Sequence, residues 1–129
     1  MGYLLDTHTF LWYLLRGPNL SQPVKDIIDA KTGLHFSIAS LWEISIKVNI
    51  GKLQINRPFE ELFNELNFIN TELMPIGHED LKTYTYLPSP TAHRDLFDRM
   101  LISQAMTRNL TVLSRDAKLK TYPIEIIWF

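Results

Sequence analysis

Four carboxylate residues are the side chains of this sequence best suited to chemistry on a phosphate ester. Asp6 and Asp116 follow short apolar segments typical of β-strands. Glu43 and Asp98 lie in segments with helical patterning. If the four meet in one pocket, their repulsion favours a divalent cation, and carboxylate oxygens suit Mg²⁺ or Mn²⁺. A cation held in this way lowers the pKa of a bound water and stabilises the oxygens of a phosphoryl displacement. The residue types therefore predict metal-dependent hydrolysis of phosphodiesters.

The first pair of acids is predicted at one edge of a parallel sheet. Asp6 follows the apolar run at 3–5, and Asp116 follows a strand that ends near Ser114. Because ligands bind beyond the carboxyl ends of parallel strands, both acids are expected at the ligand-binding edge. Asp is also a common helix N-cap, and helix capping is an equally good interpretation of either residue alone.

Glu43 is unusual because its predicted helix is otherwise almost wholly apolar. The apolar neighbours are Leu41, Trp42, Ile44, Ile46, Val48 and Ile50. At about 100° per residue, Glu43 projects close to Ile50, so we do not expect it to face freely into water. The alternative interpretation is an ion pair with Lys47 four residues later, a spacing that stabilises a helix surface by roughly 0.2–0.5 kcal/mol.

Asp98 is predicted on the apolar side of its helix. Leu101, Ile102 and Ala105 cluster within about 60° of it, which places the carboxylate in the middle of the stripe that should face the core. An unpaired carboxylate buried there would cost several kcal/mol. The alternative is a role in the first turn, where negative charge is favourable. Asp95 fits that capping role better, so we assign metal chemistry to Asp98.

The elements that must position these acids alternate along the chain. The pattern predicts strands at 3–5, 34–38, 73–76, 111–113 and 124–128. It predicts helices at 9–15, 22–30, 58–68, 79–86 and 95–109, one from an N-cap at Ser40 to about Ile50, and a helical turn at 116–120. Ser21 is the expected N-cap of the second helix. Alternating strands and helices predict an α/β fold, with a mostly parallel sheet covered by helices on both faces.

Composition limits the class of protein and the kind of metal site. The chain has 129 residues, of which 46% are hydrophobic and 21% charged, as expected for one globular domain over residues 1–129. No apolar run approaches the ~20 residues that span a bilayer, so we expect a cytoplasmic protein. The absence of cysteine excludes thiolate zinc sites and cysteine nucleophiles. A metal must then be held by carboxylates, imidazoles or hydroxyls.

Four segments together resemble a known family. They are Leu4-Leu5-Asp6-Thr7-His8, Ser40-Leu41-Trp42-Glu43-Ile44, the run from His93 to Ala105, and Val112-Leu113-Ser114-Arg115-Asp116. The third segment is specific and the others are weak individually, but their order and spacing resemble PIN-domain ribonucleases of the VapC toxin type over essentially the whole chain. The resemblance implies a Mg²⁺-dependent endoribonuclease, with Mn²⁺ as a substitute, that acts as the toxin of a toxin–antitoxin pair. By position, the catalytic and metal-binding quartet is Asp6, Glu43, Asp98 and Asp116.

The resemblance also bears on residues beside the quartet. Thr7 and Ser114 match small hydroxyl positions that support the metal ligands through hydrogen bonds, although plain capping explains them equally well. The imidazoles of His8 and His93 are not assigned to metal. Many relatives have proline where this chain has Leu96, so we expect a looser start to that helix without loss of chemistry.

The partners implied by the resemblance are an RNA substrate, an antitoxin that folds partly on the toxin and blocks the acidic site, and commonly a second copy of the chain. Aromatic side chains at Phe10, Trp12 and Tyr13 suit such an interface, and core packing explains them about as well. The net charge is −1, but the C-terminal third is basic. Its candidate contacts to RNA phosphates, which are equally consistent with a solvated surface, are Arg94, Arg99, Arg108, Arg115, Lys118 and Lys120.

Other classes fit the sequence less well. An aspartyl-phosphate phosphatase needs a second Asp two residues after the first, where His8 stands. A nucleotide-binding module needs a glycine-rich phosphate loop, and neither common form occurs. The remaining alternative is a catalytically silent PIN-like module that binds RNA or a protein, which the presence of all four acids disfavours.

Overall fold

The sheet at the centre of the chain is parallel throughout. The structure, a computed structural model, describes residues 2–88 and 95–128. Within them the five strands are β1 (Tyr3–Leu5), β2 (Leu34–Ser37), β3 (Glu72–Met74), β4 (Thr111–Leu113) and β5 (Ile126–Ile127). Their order across the sheet is β3-β2-β1-β4-β5. Leu4 of β1 is paired with His35 on one side and Val112 on the other, so β1 is central and β4 is its neighbour.

Helices connect the strands, as parallel pairing requires. Those described are α1 (Thr7–Leu14), α2 (Gln22–Asp29), α3 (Ile38–Asn49), α4 (Glu61–Phe68), α5 (His78–Thr85) and α6 (Leu96–Arg108), followed by a 3₁₀ turn (Ala117–Thr121). None of these described helices has the length and apolarity needed to cross a bilayer.

Both faces of the sheet are buried. Successive strand residues point to opposite faces, and the adjacent Leu4 and Leu5 are each 0% exposed. Leu5 belongs to a core with Phe10 and Phe36, whereas Leu4 belongs to a second core with Leu101. Burying a side chain of this size stabilises the fold by roughly 1.5–3 kcal/mol. The predicted α/β fold, a mostly parallel sheet between helices, is confirmed.

Several helix boundaries differ from those predicted, for identifiable reasons. Ser40 is not an N-cap: α3 already begins at Ile38, because the Ser37 hydroxyl accepts a hydrogen bond from the Ala39 amide at 3.0 Å. Ser21 occupies the N-cap position of α2 but makes no capping bond, because its hydroxyl donates to the Trp128 carbonyl. The polar group expected to stabilise the start of α2 therefore ties it to the C-terminal segment instead.

Two other helices start where local hydrogen bonding permits. The helix predicted from residue 58 begins at Glu61, because the amides of residues 61–63 bond to carbonyls only three residues back, such as Glu61 to Pro58 at 3.0 Å. In α6, the Asp95 carboxylate accepts from the Asp98 amide at 2.9 Å, so the predicted capping role of Asp95 is confirmed. The far end of α6 stops at Asn109, whose φ of 54° is left-handed.

Candidate active site

The carboxyl ends of β1 and β4 open into one pocket. Leu5 and Leu113 are paired at the ends of these strands, so the residues that follow them emerge side by side. The pocket has a volume of about 440 Å³. It is lined by Asp6, His8, Trp12, Arg115, Asp116 and Ala117. The structure therefore places Asp6 and Asp116 at the same edge of the sheet.

Asp6 is a buried carboxylate held by neutral donors. Its Oδ1 atom accepts from the Thr9 amide at 2.8 Å and its Oδ2 atom from the Ser114 hydroxyl at 2.5 Å. Burial raises the pKa of Asp6 above 3.8, and the bonds from Ser114 and Thr9 and the nearby His8 act in the opposite direction. Within residues 2–88 and 95–128, no lysine or arginine forms an ion pair with it. A carboxylate in this setting is one that a bound cation would stabilise.

Ser114 links the two acids at the strand ends. Its hydroxyl donates to Asp6 and accepts from the Asp116 amide at 3.1 Å. The Asp116 side chain in turn accepts from the Lys118 amide at 2.9 Å, which begins the 3₁₀ turn. Asp6 caps α1 in the same manner through Thr9. Both acids are therefore N-caps and pocket residues at once, because at this edge each strand leads directly into a helical turn.

Glu43 is buried on α3 and does not line this pocket. It is 5% exposed, and its Oε1 atom accepts from the hydroxyl of Thr7, the residue after Asp6, at 2.8 Å. The Thr7 and Ser40 hydroxyls are 2.9 Å apart. Lys47 Nζ lies 3.0 Å from Glu43 Oε2, so the ion pair considered from the sequence exists. It is not a surface pair, because Glu43 itself is shielded from water as its apolar surroundings predicted.

Asp98 lies in the first turn of α6, at the end of the helix that contacts α3. The two helices meet through the Trp42 and Phe97 rings, whose centroids are 5.3 Å apart at 80°. These rings immediately precede Glu43 and Asp98 in the chain. Leu101 is buried as predicted, but Asp98 is only half-buried. Its place in the first turn puts it near the end of the apolar stripe and not at its middle.

The chemistry of these donors fits a hard divalent cation. The candidate ligands supply only carboxylate oxygens, and hydroxyl groups from Thr7 and Ser114 hold two of them in place. In the part of the chain that the structure describes, no three His, Asp or Glu side chains form a ready-made metal cluster. A cation would relieve the repulsion between these carboxylates, and it would share Glu43 with Lys47, which pairs with Glu43 Oε2.

A second polar cluster, which the sequence analysis missed, holds α5 against α6. Its centre is Asp80, which is 2% exposed. The Asp80 carboxylate accepts from the Gly77 amide at 2.8 Å, the Thr107 hydroxyl at 2.5 Å and the Arg108 guanidinium at 2.9 Å. Asp80 stands three residues after Gly77, which is a signal for capping. Nothing local indicated the partners on α6.

This cluster predicts a specific dependence of stability on pH. Burial alone would raise the pKa of Asp80, but hydrogen bonds from Gly77, Thr107, Arg108 and Gln104 outweigh it and lower the pKa below 3.8. The stability that ionised Asp80 provides is complete above the unfolded-state value of about 3.9 and is lost as pH falls through the lower folded-state value. Denaturant unfolding should show that the difference in free energy of unfolding between wild type and Asp80→Asn narrows as pH falls from about 6 to about 3. A difference independent of pH would contradict the lowered pKa of Asp80.

The contacts of α6 also correct the predicted RNA surface. Arg99 is buried and donates to the Tyr122 hydroxyl at 3.1 Å and the Pro88 carbonyl at 3.0 Å. Arg108 pairs with Asp80. Both cations stabilise the fold, and Arg99 is too deeply buried to bind phosphates. Arg115 lines the pocket. Lys118 and Lys120 are exposed on the 3₁₀ turn, and His93 and Arg94 lie outside the described residues.

The aromatic residues after β1 divide between core and surface. Phe10 is 1% exposed and packs on Phe36 with ring centroids 4.7 Å apart, so its role is in the core. Trp12 and Tyr13 are half-buried. The Tyr13 hydroxyl donates to Asp29 at 2.8 Å, and burial together with this bond raises the pKa of Tyr13 to about 12. Of the three, Trp12 is the one that reaches the pocket.

The parallel sheet and the carboxylates at the ends of β1 and β4 define an α/β protein with an acidic site at the carboxyl edge. The chain belongs to the PIN domain family, whose model matches residues 3–125. This match confirms the family resemblance carried by the four sequence segments. No curated protein sequence is significantly similar to the chain.

Solved structures share the fold at low sequence identity. VapBC2 from Rickettsia felis bound to a DNA fragment from its promoter has a TM-score of 0.72 and 19% identity, with 100% of both chains covered. DNA-bound VapBC from Salmonella typhimurium has a TM-score of 0.72 and 18% identity, covering 98% of this chain and 97% of that one. FitAcB from Neisseria gonorrhoeae has a TM-score of 0.67 and 18% identity, covering 97% and 96%. The fold therefore extends over nearly the whole chain.

Proposed function

We propose that the chain is a Mg²⁺-dependent endoribonuclease that acts as the toxin of a toxin–antitoxin pair. Membership of the PIN domain family supports a nuclease. The observation that carries the proposal is Asp6, a buried carboxylate without a cationic side-chain partner among the described residues, in the same pocket as Asp116. We take residues 1–129 as one PIN domain acting in the cytoplasm.

The proposed ligands and their supports are residues of this chain. Asp6, Glu43, Asp98 and Asp116 would hold Mg²⁺, with Mn²⁺ as a substitute. When bound, the cation supplies a water of lowered pKa and stabilises charge on the phosphate oxygens. Thr9 and Ser114 fix the two oxygens of Asp6, and Thr7 fixes one oxygen of Glu43. These bonds set the orientation of the acids before metal and RNA arrive, which reduces reorganisation during reaction.

The ion pair between Lys47 and Glu43 makes one prediction about this site. Because Lys47 Nζ competes with a cation for Glu43 Oε2, Lys47→Met should tighten Mn²⁺ binding. A partly exposed pair of this kind is worth roughly 0.5–1 kcal/mol, which corresponds to about 2- to 5-fold in affinity. Calorimetric titration measures the change. Lys52→Met is the matched control, since Lys52 is exposed and has no ion pair in the described chain. Equal affinity in wild type and Lys47→Met would place Glu43 outside the metal site.

Two features support protein partners. The related VapBC structures are assemblies bound to DNA, which supports an antitoxin partner for this chain. An apolar groove of about 180 Å³ lies between α3, α5 and α6, and the exposed fraction of Trp42 at its edge is 56%. Exposed apolar surface of this kind is typical of interaction sites. We propose that the antitoxin blocks the acidic pocket and that the groove serves the contact between two copies of the chain.

Expression in a bacterial host tests the toxin function. Induction of the wild-type chain should arrest growth and degrade cellular RNA, whereas Asp98→Asn should permit growth at the same expression level. Co-expression with the product of the adjacent gene should restore growth and yield a stable complex. Normal growth with abundant folded wild-type protein would instead favour the silent PIN-like module that binds RNA or protein.

A further inference from the structure

One side of the acidic pocket is aromatic and cationic. His8 and Trp12 have ring centroids 5.7 Å apart at 38°. The Arg115 guanidinium lies over the Trp12 ring, 6.0 Å from its centroid. We call His8, Trp12 and Arg115 the aromatic wall. All three line the same pocket as Asp6 and Asp116, so a group on the wall lies beside the acids.

The Trp12 ring packs against Trp128 and is partly exposed. The Trp128 ring meets it at 63° with centroids 5.7 Å apart, which fixes the indole through an edge-to-face contact. Trp12 is only half-buried, and His8 and Arg115 are exposed. Arg115 also donates to Asn19 Oδ1 at 3.4 Å, which restrains it above the pocket. The wall is therefore restrained, while part of its surface is open to the pocket.

Flat aromatic and guanidinium surfaces are what nucleic-acid-binding proteins use to stack on unpaired bases. A base in a duplex is already stacked on its neighbours, so its faces are hidden. The pocket volume of about 440 Å³ lies within the range of roughly 300–1,000 Å³ found for ligand sites. The acids of the pocket weaken the binding of a phosphate chain, so contacts to a base add attraction that does not depend on charge.

We propose that the aromatic wall stacks on an unpaired nucleobase next to the scissile phosphate. This inference rests on the proposed function, because it names the part of the RNA that the same site recognises. Trp12, Arg115 and His8 together supply flat surfaces for the base, and Arg115 also neutralises nearby phosphate charge. These are positioning residues for the substrate.

Binding of short fluorescent RNA in EDTA tests the wall without requiring cleavage. Fluorescence anisotropy with a single-stranded oligoribonucleotide should show a loss of about 5- to 20-fold for Trp12→Ala and about 3-fold for Arg115→Gln. Trp12→Phe keeps a stacking ring and should retain most of the affinity. Lys52→Gln removes an exposed cation outside the pocket and should stay within about twofold of wild type. Thermal unfolding checks that each variant is folded. If Trp12→Ala does not fold, Arg115→Gln tests the aromatic wall in its place.

Abasic substitution identifies the stacked base. In a set of RNAs each lacking one base, wild type should lose affinity mainly at one position, and Trp12→Ala should no longer respond at that position. A duplex of the same sequence should bind more weakly than the single strand, and Trp12→Ala should not alter duplex binding. The wall is excluded if folded Trp12→Ala and Arg115→Gln bind every RNA as wild type does. It is equally excluded if wild type does not bind single strands, or if abasic sites have the same effect in both proteins.

The two proposals fail in different ways. If wild type cleaves RNA in Mg²⁺ but Trp12→Ala has the same affinity and KM, the wall is wrong and the ribonuclease stands. If wild type binds single strands through Trp12 but cleaves none of them in Mg²⁺ or Mn²⁺, the ribonuclease is wrong and the wall stands. The metal-free binding assay separates these results.

Discussion

Asp6→Asn is expected to lower the rate of RNA cleavage by about 100-fold or more while leaving the protein folded. The substitution removes the negative charge of a metal ligand, and metal-assisted stabilisation of a phosphoryl transition state is worth several kcal/mol. The amide oxygen of Asn can still accept from the Thr9 amide and cap α1. The free energy of unfolding should change by no more than about 1 kcal/mol, because relief of a buried charge offsets the altered bond to Ser114.

Single-turnover cleavage and denaturant unfolding of the same preparations separate these two effects. Asp26→Asn is the matched control: Asp26 is an exposed acid on α2 that bonds only Gln22 through its side chain among the described residues, and this variant should cleave within about twofold of wild type. Full activity of Asp6→Asn would exclude Asp6 as a ligand. A loss of activity accompanied by a large loss of stability would make Asp6 a structural cap alone.

The largest change in stability is expected from Asp80→Ala, which should reduce the free energy of unfolding by about 3 kcal/mol. The change removes the acceptor for four groups, namely the Gly77 amide, the Gln104 amide, the Thr107 hydroxyl and the Arg108 guanidinium. Removing one partner of a buried ion pair costs roughly 3–5 kcal/mol. The lower value of this range applies because Arg108 is 36% exposed, so water can replace part of its contact with Asp80.

Urea unfolding at neutral pH measures this loss. Glu79→Ala is the control, because Glu79 is the exposed acid next to Asp80 in the same first turn and makes no hydrogen bond or ion pair in the described structure. It should change stability by less than about 0.5 kcal/mol. Asp80→Ala should also weaken the packing of α5 on α6, the helix that bears Asp98. A change of similar size in both variants would mean that only charge in the first turn matters.

Local patterns were sufficient to predict the elements and their order. Leu4 and Leu5 form an apolar run ending at a carboxylate, and Asp95 precedes a helical stripe, so strand, cap and helix each had their own signal. The strand signals also predicted that Asp6 and Asp116 lie at one edge of the sheet, because the carboxyl ends of parallel strands share an edge. The burial of Glu43 followed from its apolar neighbours. These features depend on residues within a few positions of one another.

The features that were missed depend on contacts between distant segments. Asp80 and Arg108 are 28 residues apart, and no local pattern distinguishes that pair from two surface charges. The inward position of Arg99 required the Tyr122 hydroxyl, 23 residues away. Ser37 and Ser40 are both suitable N-cap residues, but β2 ends at Ser37 and its hydroxyl accepts from the Ala39 amide. No local pattern indicated that Trp12 lines the pocket, because its contacts with Arg115 and Trp128 exist only in the fold.

Metal-dependent cleavage of RNA by the purified chain tests the central claim most directly. Wild type and Asp98→Asn, prepared identically, are incubated with end-labelled RNA in Mg²⁺, Mn²⁺ or EDTA, and the products are resolved by length. Wild type should give discrete products in Mg²⁺ and Mn²⁺ and none in EDTA, and Asp98→Asn should give no products in any buffer. Cleavage that persists in EDTA, or equal cleavage by the two proteins, would contradict a metal centre built from the four acids.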